Sequence, residues 1–290
     1  MAHDELIKEN LNHENIQRHY FIHVPPNYNP AAATPLLLVF HQENSDAKSM
    51  SKLAQFNELS DQNGFIVVYP QGVQGYWNDG RRNQGYRVDD VGFVSNLLDD
   101  LERRWHIDKN TVCAAGFSDG GFFAQYAALK LPGRIKAVAS VAATMQDVLI
   151  NKARLKGNCS VLYILGMDDR IVPFMGGPID PSRNGQNRGI CASAANSVAF
   201  WVKGNKCGGD YTTEDYPDVD STDGTSVKIA RYRNCPDSNE VVVFAIQGGG
   251  HAWPQCRPVG KAPDGKTCRD FDSSDVIFRF FSQHGIAGLR

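Results

Sequence analysis

A chain of 290 residues with 42% hydrophobic and 21% charged residues sits near the globular averages, which excludes disordered, collagen-like and coiled-coil architectures. Thirty basic against 32 acidic residues leave a net charge of -2, so no overall positive field gathers nucleic acid or an anionic membrane. The longest apolar runs, such as 36–40 and 241–246, are strand-sized and far short of the roughly 20 residues that cross a bilayer.

Residues 1–15 are polar, lack the apolar centre of a secretory signal, and read as a flexible tail over 1–14. A strand is predicted at 20–24, stopped by Pro25-Pro26, and a doubly buried strand at 36–40. After a polar loop from His41 to Asp46, one helix is expected through Leu53, Phe56 and Leu59 to Gly64, then a strand at 65–69 closed by Pro70. Asp89 and Asp90 favour the positive end of a helix carrying Val91, Val94, Leu98 and Leu101 at helical spacing up to Trp105. Strands follow at 111–116, 135–141, 161–165, 227–232 and 241–246, with helices at 122–131, 192–202 and 272–284. This alternation predicts an α/β fold, with a mainly parallel central sheet covered by helices on both faces and a single domain over 1–290. Long irregular stretches remain at 71–86, 174–189, 208–224 and 254–269, and loops of that length in a compact domain often carry function.

Gly116-Phe117-Ser118-Asp119-Gly120 matches G-x-S-x-G between a predicted strand and a predicted helix. The chemistry needs glycines there, because the serine occupies a strained turn that lifts its hydroxyl above the sheet and bulky neighbours would clash. A serine hydroxyl is a weak nucleophile, so a histidine base and an orienting carboxylate must follow in the order Ser, acid, His. Of the eight histidines, only His251 follows a late strand, in Gly248-Gly249-Gly250-His251-Ala252-Trp253-Pro254. The strand at 161–165 runs into Asp168-Asp169-Arg170, where ligand sites sit in open α/β sheets, and spacing leaves both aspartates open as the acid. Oxyanion donors are expected from the amide of Asp119 and from Gln42 or Glu43 in the loop after 36–40.

These residues resemble the polyhydroxybutyrate depolymerase-like esterases, a family of α/β-hydrolases that includes the feruloyl esterases of carbohydrate esterase family one. The likeness extends over Val39-Phe40-His41, Tyr69-Pro70, Trp77-Asn78, Val88-Asp89-Asp90-Val91-Gly92-Phe93, the serine turn with Gly121, the 166–173 segment and 248–254. The resemblance implies an esterase acting through an acyl-enzyme on Ser118, with His251 as base. It assigns the acid to Asp169, the fourth position of a Gly-x-x-Asp-x-x-Val-Pro segment. One departure is Gln42, where relatives usually carry glycine after the strand-end histidine. Without the Ser/Thr-rich linker and polymer-binding module of depolymerases that attack crystalline polymer, soluble esters are expected over solid polyester. Hydroxyalkanoate oligomers and feruloyl or aryl esters are the expected substrates, and the partner is a small or oligomeric ester rather than nucleic acid or membrane. Two other readings are a depolymerase of an anionic polymer such as polyaspartate and an inactive hydrolase-fold binding protein.

No cofactor is expected, and no H-E-x-x-H or paired Cys-x-x-Cys spacing offers a metal site. Trp77 and Trp253, with Tyr76 and Phe174, fall in loops where a ring can stack on substrate. Arg81 and Arg82, with Arg87, Arg170 and basic residues of the 254–269 loop, either focus a positive potential on the cleft or are solvated loop charges with local partners such as Asp79, Asp264 and Asp270. Of seven cysteines, Cys113 reads as a buried thiol, and bridges are expected for Cys256–Cys268, Cys207–Cys235 and Cys159–Cys191. Such bridges would place the protein in a secreted or periplasmic setting, with any leader already removed.

Overall fold

The computed structural model describes residues 6–81, 87–180, 188–255, 265–284 and 286. In chain order they form β1 (Ile7–His13), β2 (Ile16–His23), β3 (Thr34–Phe40), α1 (Ala47–Ala54), α2 (Phe56–Asn63), β4 (Ile66–Pro70), α3 (Asp90–Arg104) and β5 (Ile107–Phe117). Then come α4 (Asp119–Lys130), β6 (Ala137–Val141), α5 (Asp147–Lys152), β7 (Ser160–Gly166), β8 (Gly177–Pro178), β9 (Ile190–Cys191) and α6 (Ala194–Gly204). The remainder are β10 (Thr212–Asp215), β11 (Ser226–Tyr232), β12 (Val241–Gln247) and α7 (Ser273–Ser282).

Among the described residues, one ten-stranded sheet runs in the order β1-β2-β4-β3-β5-β6-β7-β12-β11-β10. The strands from β4 to β12 in that order are parallel, and the flanking pairs β1/β2 and β11/β10 are antiparallel. The side-chain period of two explains why the central strands read as unbroken apolar runs. Leu36, Leu38 and Phe40 of β3 point into a core with Leu97, Phe123 and Trp201, whereas Leu37 and Val39 face Met50, Phe56 and Phe281. Helices α3, α4, α5 and α6 thus cover one face, and α1, α2 and α7 cover the other. Among the described residues, no helix is long and apolar enough to cross a membrane.

The expected tail is instead an edge hairpin. Residues 7–13 pair with β2 from Ile7↔Ile22 to His13↔Ile16, through a turn at Glu14 and Asn15 with φ of 49° and 62°. Two consecutive positive φ values are what the twist of a tight hairpin demands. The single helix expected from residue 47 breaks at Gln55, whose left-handed φ of 51° ends α1 and starts α2. Asp89 caps α3 by accepting from Gly92 N–H at 2.9 Å. Asp90, fully buried, accepts from Arg18 at 2.7 Å and from the Asn78 amide at 2.7 Å. The Val-Asp-Asp-Val-Gly-Phe segment therefore pins the loop after β4 to the start of α3.

Cys207–Cys235 is bridged, joining the end of α6 to the segment after β11. Cys113, Cys159, Cys191 and Cys268 are buried free thiols, so the expected Cys159–Cys191 pair does not form. The reason is topological: Cys159 precedes β7, whereas Cys191 packs against Pro173 beyond its other end. Cys268 lies beside Asp270 with its thiol pushed up to about 12 by burial, and Cys256 falls outside the described residues.

Candidate active site

Ser118 sits between β5 and α4 with φ 53° and ψ -117°, a strained conformation for a non-glycine residue. Neighbouring glycines make that turn possible. A Cβ on Gly116 would lie 2.1 Å from Gly120 O, and one on Gly120 would lie 2.2 Å from Phe40 O and 2.7 Å from His41 O. The end of β3 therefore lies directly against the first turn of α4. Ser118 N–H donates to Val141 O at 2.8 Å, and Ser118 O accepts from Gly121 and Phe122 N–H.

His251 approaches from the loop after β12. Asp168 N–H donates to Gly249 O at 2.9 Å, and Gly250 N–H donates to Lys266 O at 2.8 Å, so this loop is tied to the end of β7. His251 Nε2 lies 2.9 Å from Ser118 Oγ, and His251 Nδ1 lies 2.7 Å from Asp169 Oδ2. The other oxygen, Asp169 Oδ1, accepts from Ile171 and Val172 N–H, both at 2.8 Å. His251 and Asp169 are 4% and 7% exposed, whereas Asp168 and Arg170 face solvent. Geometry thus separates the two aspartates that spacing left open. The imidazole packs against the Phe117 ring at 5.3 Å.

His41, which directly follows β3, is committed elsewhere. Its Nδ1 donates to Gln42 O at 2.8 Å, its Nε2 accepts from Gly72 N–H at 3.0 Å, and burial lowers its pKa. Asp119 opens α4, so its N–H is among the helix-start donors without an intrahelical acceptor. Gln42 and Glu43 follow the β3 end that Gly120 allows to approach; the Glu43 side chain pairs with Arg188 at 2.5 Å.

The expected substrate-facing residues are placed differently. Trp77 is fully buried, stacked on Phe123 at 4.7 Å, with Nε1 donating to His41 O at 3.0 Å. Trp253, 3% exposed, packs edge-on against Phe56 and Phe117. Both rings hold loops down because large apolar surfaces gain more from burial than from a wet rim. Arg81 is buried as well, between Asp79 and Asp119. Its charge is consumed inside the protein, which removes it from the proposed positive rim. Arg82 lies outside the described residues. A cavity of about 1130 Å³ runs between α6 and β10–β12, with Met167 and Phe174 among its lining residues and neither Ser118 nor His251.

A serine on a strained strand-to-helix turn, backed by a buried histidine and carboxylate at the ends of parallel strands, defines an α/β-hydrolase. The family model Esterase, described as "Putative esterase", matches residues 12–234. Over 275 residues the chain is 30% identical to "Putative esterase NocK" of Nocardia uniformis subsp. tsuyamanensis, covering 91% of this chain and 78% of that one. It is 28% identical over 242 residues to "Feruloyl esterase B" of Piromyces equi, covering 81% of this chain and 42% of that protein. It therefore spans less than half of that relative's length. The acetyl xylan esterase from Aspergillus awamori shares the fold, with a TM-score of 0.63 at 13% identity over 96% of this chain and 99% of that one. The chain belongs to the esterase family and is a carboxylic ester hydrolase.

Proposed function

We propose that Ser118 is the nucleophile, His251 the general base and acid, and Asp169 the residue that orients the imidazole. The continuous chain from Ser118 Oγ through His251 to Asp169 Oδ2, at 2.9 and 2.7 Å, carries this reading. Ser118 Oγ attacks the ester carbonyl as His251 Nε2 takes its proton; the same proton then passes to the departing alcohol, leaving an acyl-enzyme. Water enters by the reverse roles and releases the acid. Asp169 spends one oxygen on backbone amides and the other on Nδ1–H, which fixes the tautomer that leaves Nε2 free to accept. The amides of Asp119 and of Gln42 or Glu43 receive the oxyanion.

For the substrate, we propose a soluble ester with a small or aromatic acyl group, of the feruloyl or acetyl kind, on a carbohydrate or hydroxyacyl alcohol. The similarity to a feruloyl esterase supports this choice. Burial of Arg81 between two carboxylates argues against an anionic polymer. The Cys207–Cys235 bridge supports a working place outside the reducing cytoplasm. The deciding experiment is a panel of p-nitrophenyl acetate, methyl ferulate, hydroxybutyrate oligomers and polyaspartate. Turnover of the esters that disappears in Ser118→Ala is expected. Cleavage of polyaspartate alone would overturn the substrate assignment, and ester turnover by Ser118→Ala would overturn the mechanism.

A further inference from the structure

Asp119, the residue after the proposed nucleophile, presents an acidic side chain at the first turn of α4, beside amides that have no intrahelical acceptor and favour negative charge. Here both carboxylate oxygens are taken. Oδ1 pairs with Arg81 Nη2, and Oδ2 accepts from Trp77 N–H at 3.2 Å. The Asp119 side chain is thereby drawn off the helix start, and its charge, next to the place where negative charge would develop on the ester oxygen, is paired with the Arg81 guanidinium that Asp79 shares. Arg81 is held in turn: Nε lies 2.6 Å from Asp79 Oδ2, and the guanidinium stacks 4.8 Å above Phe122, in the same helical turn as Asp119.

The second donor loop has a matching support. Glu43 Oε2 lies 2.5 Å from Arg188 Nη2, and Arg188 Nη1 lies 3.5 Å from Asp180 Oδ2. The two arginines are joined, because Arg81 Nη1 donates to the Arg188 carbonyl at 3.3 Å. We propose that Arg81 and Arg188 form a linked clamp that positions the two oxyanion-donor loops, one through Asp119 and the other through Glu43. Both are positioning residues and touch no reacting atom. The proposal rests on the reading of Ser118 as nucleophile and of these loops as the oxyanion site.

A positioning role in the transition state differs from a merely structural one in what it moves. A trifluoromethyl ketone is the suitable probe. Ser118 Oγ adds to its carbonyl carbon, the serine proton passes to His251 Nε2, and the oxyanion formed has no leaving group to expel. Arg81→Met is expected to lower kcat by about 10- to 100-fold and to weaken the ketone by a similar factor. KM and the inhibition constant of the product acid should move by about twofold or less, because they report ground-state binding. Arg188→Met and Glu43→Gln, nearer the surface, should show the same pattern with smaller factors and keep the test open if Arg81→Met fails to fold. Wild-type kcat and ketone affinity in all the folded variants would overturn the clamp, as would equal weakening of ketone and product acid. Ser118→Ala separates the two levels of failure: if it retains turnover, the nucleophile assignment is wrong, whereas an inactive Ser118→Ala beside unaffected clamp variants refutes the clamp alone.

Discussion

The Ser118–His251–Asp169 chain is held by close backbone approach and by hydrogen bonds to main-chain amides, whereas the Asp119 and Glu43 loops beside it are held by buried ion pairs. The first arrangement needs particular residue types at short spacing: glycines around the serine, three glycines before the histidine, an aspartate just past a strand. The second draws on residues 43, 79, 81, 119, 180 and 188, which no local pattern connects. Local backbone geometry thus sets each member of the proposed relay in its own turn, while the ion pairs around it depend on charged side chains without such local motifs. The two should respond differently to substitution.

The largest effect is expected on the relay. Ser118→Ala and His251→Ala should each lower turnover on the order of 10⁴-fold or more with little change in melting temperature, as measured by ester hydrolysis and thermal unfolding. Asp169→Asn should cost roughly 10³- to 10⁴-fold, and Asp168→Asn, whose side chain faces solvent, should stay near wild type. A reversal of that order would break the assignment of the acid.

Between relay and brace lies Gly120. With Phe40 O where a Cβ would go, Gly120→Ala must push the end of β3 away from α4. A stability loss of about 1–3 kcal/mol is expected from denaturant melts, together with weaker binding of the trifluoromethyl ketone. Retention of both would show that the two elements tolerate separation.

The smallest effect concerns the brace. Asp79 is pushed up to about 6 by burial, with Asp119 adding to the shift and Arg81 opposing it, from an ordinary value of 3.8. Between about pH 4 and 6 the folded form therefore holds a proton that the unfolded chain gives up. The stability this contributes is present below pH 4 and is lost as pH rises to about 6. Asp79→Asn cannot titrate, so the stability difference between wild type and variant should narrow in favour of the variant across that interval. A difference independent of pH would remove Asp79 from the pH response.

What the sequence revealed follows the same division. The central strands were legible because burial on both faces leaves unbroken apolar runs such as Leu36 to Phe40. The edges were not: β1 alternates polar residues with Ile7, Leu11 and little else, and every residue of β10 is exposed. Gln55 takes a left-handed conformation without any compositional mark, so two helices read as one. In the site, Ser118 and His251 followed from chemistry and order, and Asp169 from family resemblance. For Arg81 the sequence shows only the nearby Asp79; its burial depends on Asp119, 38 residues away and beyond any spacing rule. Trp77 and Trp253 are buried where the sequence suggests substrate contact, since a loop aromatic carries no sign of whether it meets substrate or core. The cysteine count failed in the same way: parity suggested three bridges, yet four of the seven are buried free thiols. Thiol titration of the denatured, unreduced protein should accordingly find at least four rather than one.

The N-terminal hairpin bears on how the molecule avoids its own kind. By pairing with β2 along its whole length, the polar strand β1 covers the hydrogen-bonding edge that β2 would otherwise present, and His13 fastens it to Asp89 at the head of α3. Its outward residues, Lys8, Asn10 and Asn12 among them, replace a sticky border with a hydrated one. A chain shortened to begin at Asn15 would keep every residue of the relay and the clamp, yet would offer neighbouring molecules a strand template, so colloidal behaviour would decline before chemistry did.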